Sequence, residues 1–243
     1  MRITYFKEHS KILGLDMEYN VYGHAGKLCL VFPCQDGRFY EWEDRGMFSL
    51  VQNEIEAGQS QFVCVDSIDP LSWSNAGDVS SRMYMHEKYV QYIMQELLPK
   101  FGNQTWMCTG CSMGGYHAFN MYLRFPDTFT QVLSMSGVYD MEPFFLGQGN
   151  DLNAYQNDPY RSIANMDVNH AYIAKYNQNQ AILVVGKGAW EEHCISDLKK
   201  MMHILIDKGI QAEYYIYPYD YVHDWSSWQV YFPKYIKKMI QKK

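Results

Sequence analysis

The sequence predicts an α/β protein, with a mostly parallel central sheet and helices on both faces in a three-layer sandwich. Three observations predict it. Short apolar runs of strand length alternate with longer helical patterns. Most of these runs are separated by crossover-length segments, as parallel pairing requires. The chain of 243 residues, 47% of them hydrophobic, is long enough to bury a sizeable core as one domain spanning residues 1–243.

The elements follow in order. Strands are expected at residues 17–22 and 28–32, close enough in sequence to form an antiparallel pair at the N-terminal edge. A helix at 44–57 leads to a strand at 62–66, and a long helix at 81–101 to a strand at 106–109. A helix at 113–125 is stopped by Pro126, and a strand follows at 132–136. Residues 141–167 carry little periodicity and much Gly, Asn, Asp and Tyr, which reads as a long loop or small cap near a site. A strand at 181–185, a helix at 192–208 closed by Gly209, a strand at 213–217 and a helix at 226–238 complete the chain.

Composition excludes several function classes. With 21 Lys and Arg against 27 Asp and Glu, the net charge is −6, which does not favour nucleic acid. The basic cluster at 234–243 reads as a solvated helix end that complements the helix dipole. The start, MRITYFKEHS, has no apolar run of the secretory kind, and no stretch approaches the roughly 20 apolar residues of a membrane span. A cytoplasmic protein is expected. The six cysteines agree, since several lie in apolar strand-like runs where a reduced Cys acts as a small hydrophobe.

The informative segment is Trp106-Met-Cys-Thr-Gly110-Cys-Ser112-Met-Gly114-Gly115. It matches G-x-S-x-G between a strand and a helix, the setting of a nucleophile elbow in an α/β-hydrolase fold. The chain must turn sharply there, which strains the serine backbone and requires small neighbours two residues away, hence Gly110 and Gly114. The serine then stands above the sheet near the positive end of the following helix, and the Met113 amide points to where an oxyanion would form. The plainer alternative is a glycine-rich turn with a passing serine. Cys108 and Cys111 also form a CxxC, but a redox dithiol would need both at a helix N-terminus.

A serine nucleophile needs a base, and in this fold the order is Ser, acid, His. Of eight histidines only His223 follows the last strand, opening the aromatic segment His223-Asp-Trp225-Ser-Ser-Trp228. His117, His193 and His203 fall on helical patterns and read as packing or surface residues. The acid should follow the strand at 181–185, in Gly186-Lys-Gly188-Ala-Trp190-Glu191-Glu192-His193. Glu191 is the first choice. Glu192 and Asp140, the latter after the strand at 132–136, are its rivals. The second oxyanion amide should come from Pro33-Cys34-Gln35-Asp36-Gly37, with Gln35 or Cys34 as donor.

With these residues in hand, the chain resembles the esterase family that includes the esterase D (S-formylglutathione hydrolase) type enzymes and the mycobacterial antigen 85 mycolyltransferases. The resemblance rests on Gly110-Cys-Ser112-Met-Gly-Gly115-Tyr-His-Ala118, on Arg124-Phe-Pro126-Asp-Thr-Phe129, on Ser134-Met-Ser136-Gly137 and on the His223 segment. It runs from about Leu28 to the C-terminus and implies Ser112 as nucleophile and His223 as base. There are departures. The family's His-Gly after the third strand is Phe32-Pro33-Cys34 here, and its Asp after the penultimate strand is replaced by Gly-Ala-Trp-Glu-Glu. A glutamate acid, as in the antigen 85 branch, would accommodate the second.

The expected function is hydrolysis of a small-molecule ester by a serine carboxylesterase, with Trp225, Tyr221 and Trp73 lining the substrate pocket. An acyltransferase using the same triad, or an inactive binding module on the same fold, are the alternatives. No cofactor is expected. No metal is expected either, because Asp66-Ser-Ile-Asp69 and the scattered histidines lack ligand spacing. Gly186-Lys187-Gly188 does not match a phosphate-binding loop.

Overall fold

A computed structural model describes residues 1–242; Lys243, the last residue of the basic tail, lies outside the described residues. Eight strands form one sheet: β1 (Ile3–Ser10), β2 (Leu15–Tyr22), β3 (Lys27–Phe32), β4 (Ser60–Val65), β5 (Trp106–Cys111), β6 (Phe129–Met135), β7 (Gln180–Val185) and β8 (Glu213–Ile216). Their spatial order is β1-β2-β4-β3-β5-β6-β7-β8. β1 pairs antiparallel with β2, and β2 antiparallel with β4, while every later pairing is parallel. The principal helices are α1 (Val79–Tyr92), α2 (Met113–Arg124), α3 (Ala171–Gln178), α4 (Glu192–Asp207) and α5 (Trp225–Gln241).

The strand alternation builds two cores. Leu28, Leu30 and Phe32 of β3 face one side, and Cys29 and Val31 face the other. In β7, Ala181, Leu183 and Val185 likewise oppose Ile182 and Val184. Side chains of α1, α2 and α4 cover the first face, among them Val90, Phe119 and Met201. Trp228, Phe232 and Ile236 of α5, with Trp42 and Phe48, cover the second. With helices on both faces, the central strands must be apolar throughout, as parallel strands are.

Two expectations need correction. The strands at 17–22 and 28–32 do not pair with each other. β2 lies between β1 and β4, and β3 lies between β4 and β5. β3 is apolar on both faces and belongs in the interior with two neighbours, whereas β2 caps the parallel part. β1 was absent from the expected elements because it is an edge strand whose burial alternates, so its polar ITYFKEHS carries no apolar run. Phe6 anchors it by stacking on Tyr19 at 4.8 Å.

Other differences are local. The helix expected at 44–57 breaks into short turns around Gly46, whose φ is +66°. Residues 141–167 hold three short helices, Glu142–Phe145, Leu152–Gln156 and Pro159–Ala164, and α3 follows where none was expected. Cys108 and Cys111 are three residues apart on β5 and therefore point to opposite faces, which rules out a dithiol pair.

Candidate active site

The C-terminal ends of the parallel strands carry the loops that converge on Ser112. The chain leaves β5 and enters α2 through this residue, whose backbone stands at φ +56° and ψ −124°. A non-glycine residue there is strained, and the fold holds it by close packing. A Cβ on Gly110 would lie 2.1 Å from the Gly114 carbonyl oxygen. One on Gly114 would lie 2.4 Å from the Pro33 oxygen and 2.6 Å from that of Phe32. The two glycines thus let three backbone segments meet. Gly114→Ala is expected to lower Tm by several degrees, since overpacking costs about 1–3 kcal/mol, and to reduce activity by pushing the Pro33–Gly37 loop outward. A thermal melt at the wild-type midpoint would contradict the close approach.

His223 lies between β8 and α5, its own amide donating to the Ala189 carbonyl at 3.0 Å. Nε2 is 2.9 Å from Ser112 Oγ, and Nδ1 is 3.1 Å from Glu191 Oε2. Glu191 is wholly buried, while His223 and Ser112 are half-buried. The other Glu191 oxygen accepts the Ser136 hydroxyl at 2.6 Å and the more distant Gly186 amide at 3.4 Å. The rivals lie elsewhere. Glu192 is exposed on the first turn of α4. Asp140 accepts the Glu142 amide and stands 3.8 Å from Lys200 Nζ.

Of the oxyanion candidates, the Cys34 amide is engaged, donating to Glu41 Oε2 at 2.8 Å. Among the described residues, the backbone bonds include no protein acceptor for the Gln35 or Met113 amide. The Gln35 loop is pinned by its side chain, which donates to Ser74 Oγ at 2.9 Å.

Glu191, Cys194 and His223 also offer ligand atoms within 4.8 Å of one another. Cys194 Sγ lies 3.7 Å from His223 Nδ1. Burial pushes this thiol up, which disfavours the free thiolate.

A family model described as "Putative esterase" matches residues 10–239. The chain belongs to this esterase family. It is accordingly a carboxylic ester hydrolase, and the resemblance read from its motifs is borne out. Solved structures agree on the fold. A ferulic acid esterase superposes with a TM-score of 0.78 at 15% identity, covering 99% of this chain and 97% of the other. An S-formylglutathione hydrolase from Agrobacterium tumefaciens gives 0.75 at 15% identity, covering 98% and 94%. MPT51 of Mycobacterium tuberculosis gives 0.72 at 12% identity, covering 99% and 98%. No curated protein matches the sequence. No helix among the described residues is long and apolar enough to cross a membrane.

The aromatic residues expected to wall the esterase pocket differ in placement. Trp73 is 2% exposed, its indole N–H donating to His86 Nδ1 at 3.2 Å and its ring packed on Tyr116, Phe144 and Phe145. It is a core side chain and not an open wall. Trp225 is nearly buried, edge-on to Trp42 and Trp228. Tyr221 is half-buried against Tyr217 and Tyr231. Among the other histidines, His117 is buried against Asp69 at 3.0 Å, and His193 and His203 are exposed. Sequence reading did not single out Ser136 as a site residue. Its signal was available only as the residue ending the strand beside the elbow.

Proposed function

We propose that this esterase hydrolyses a small acyl ester through Ser112, His223 and Glu191, by way of an acyl-enzyme. The observation that carries the reading is the unbroken run of contacts from Ser112 Oγ through both ring nitrogens of His223 to buried Glu191. Ser112 Oγ attacks the acyl carbon while His223 Nε2 takes its proton and then returns it to the leaving alcohol. Glu191 keeps the Nδ1–H tautomer and stabilises the imidazolium as it forms. The Met113 and Gln35 amides receive the oxyanion; the engagement of the Cys34 amide with Glu41 favours Gln35 over Cys34. Water then repeats the sequence on the acyl-enzyme and releases the acid.

Tyr221 and Trp225 stand two residues to either side of His223 in the chain. We read residues 1–243 as one hydrolase domain, and six free cysteines favour a reducing compartment such as the cytoplasm.

The test is covalent labelling. A fluorophosphonate probe is expected to label the wild type and not Ser112→Ala, and p-nitrophenyl butyrate to block the labelling. An unlabelled wild type would instead favour a binding module. Added glycerol is expected to leave free acid as the main product, and an acylglycerol product would move the assignment to acyl transfer.

A further inference from the structure

Four of the five non-glycine residues with positive φ among the described residues flank the site: Asp36, Ser112, Ser136 and Trp190. Strain of this kind persists where surrounding structure holds it and clusters at functional sites. Three have an evident place. Asp36 follows the Gln35 donor, Ser112 is the nucleophile, and Trp190 immediately precedes Glu191. Ser136 has no role in the mechanism above. It is wholly buried at the end of β6, at φ +49°, with its amide donating to the Val184 carbonyl at 2.7 Å.

Its hydroxyl sits between two groups with fixed demands. An ionised Glu191 can only accept, so the 2.6 Å contact is a Ser136 O–H donated to Oε1. The Trp228 indole can only donate, so the 3.0 Å contact to Ser136 Oγ is an N–H given to the serine. The serine proton therefore points to Glu191. Trp228 also lies edge-on to the His223 ring, at 5.1 Å and 83°. We propose that Ser136, oriented by Trp228, is a positioning residue for the acid: it holds the Glu191 carboxylate turned toward His223 Nδ1 and stabilises its charge. The inference rests on the Ser112–His223–Glu191 reading.

The consequence for pH follows from charge. The active pair is Glu191⁻ with neutral His223, and adding one proton gives an ion pair. A donor to Oε1 stabilises the uncompensated carboxylate more than the ion pair. Removing that donor makes the pair hold its proton to higher pH. Other titratable groups facing the pair are Cys194, Cys111 and Tyr231; burial pushes all three up, so they remain neutral. Glu192 is exposed, and Asp224 is turned to the Trp225 amide.

The experiment is kcat and KM for p-nitrophenyl butyrate across pH in Ser136→Ala, Ser136→Gly, Trp228→Phe and Ser112→Ala. Ser136→Ala is expected to lose about tenfold in kcat, the scale of one charge-assisted hydrogen bond, with KM little changed and the acidic limb of kcat/KM moved to higher pH. Ser136→Gly should match it, because glycine adopts φ +49° without strain and also lacks the hydroxyl. Agreement of the two assigns the effect to the hydroxyl and covers the case in which one variant folds poorly. Trp228→Phe keeps an aromatic ring but removes the indole N–H, and should move the limb the same way by less. A Ser136 variant with an unmoved limb, whether kcat is unchanged or falls equally at every pH, overturns the inference while an inactive Ser112→Ala leaves the triad standing. An active Ser112→Ala would overturn the triad reading itself.

Discussion

Ser112→Ala is expected to lower kcat for p-nitrophenyl acetate and butyrate by about four to six orders of magnitude, the loss typical of removing a serine nucleophile. The magnitude follows from the geometry. Ser112 Oγ is within 2.9 Å of His223 Nε2 and heads the sequence of contacts that ends on buried Glu191. Alanine removes the oxygen and leaves nothing for His223 to deprotonate. The residual rate would come from the oxyanion donors and substrate binding alone, which do not depend on the hydroxyl. Because alanine keeps the Cβ that Ser112 already carries at φ +56°, the backbone should keep its shape. An unchanged melting curve beside the lost turnover would separate chemistry from folding. Turnover equal to wild type would remove Ser112 from the mechanism.

Glu191→Gln is expected to cost roughly 10³–10⁴-fold in kcat, as loss of the acid does in serine hydrolases. The neutral amide neither stabilises the imidazolium nor enforces the Nδ1–H tautomer, because its own N–H₂ can face Nδ1. Glu192→Gln and Asp140→Asn should stay near wild-type turnover, since one carboxylate is exposed and the other faces Lys200 and the Glu142 amide. Steady-state kinetics on the three variants distinguish the carboxylates directly. A severe loss in Asp140→Asn with a mild one in Glu191→Gln would reassign the acid.

Those two residues differ in how far the sequence reveals them. Ser112 is announced by a local pattern, because a sharp strand-to-helix turn forces glycine at 110 and 114 whatever else the chain does. His223 is nearly as legible, standing alone after the last strand among eight histidines. The acid is less so. Three carboxylates fall close to the two strand ends where it could sit, and only the direction of each side chain separates them.

The oxyanion donor is harder still. A backbone amide has no side-chain signature, and choosing Gln35 over Cys34 depends on a hydrogen bond to Glu41 six or seven residues away. The aromatic pocket residues illustrate the same limit from the other side. A tryptophan near a site in sequence can be a wall or a core residue, and Trp73 proves to be packed, with its N–H satisfied by His86.

By itself the sequence determined the fold class, the strands of the parallel half and several of its helices, the elbow and its serine, and the histidine loop. These depend on local periodicity and on steric demands within a few residues. Tertiary structure alone decided that β3 lies between β4 and β5 and does not pair with β2, that a polar edge strand precedes both, and that Glu191 faces His223. It also decided that Ser136 and Trp228, 92 residues apart, meet behind Glu191. Strand order and side-chain direction are set by which surfaces are buried together, and that is a property of the whole packed chain and not of any segment.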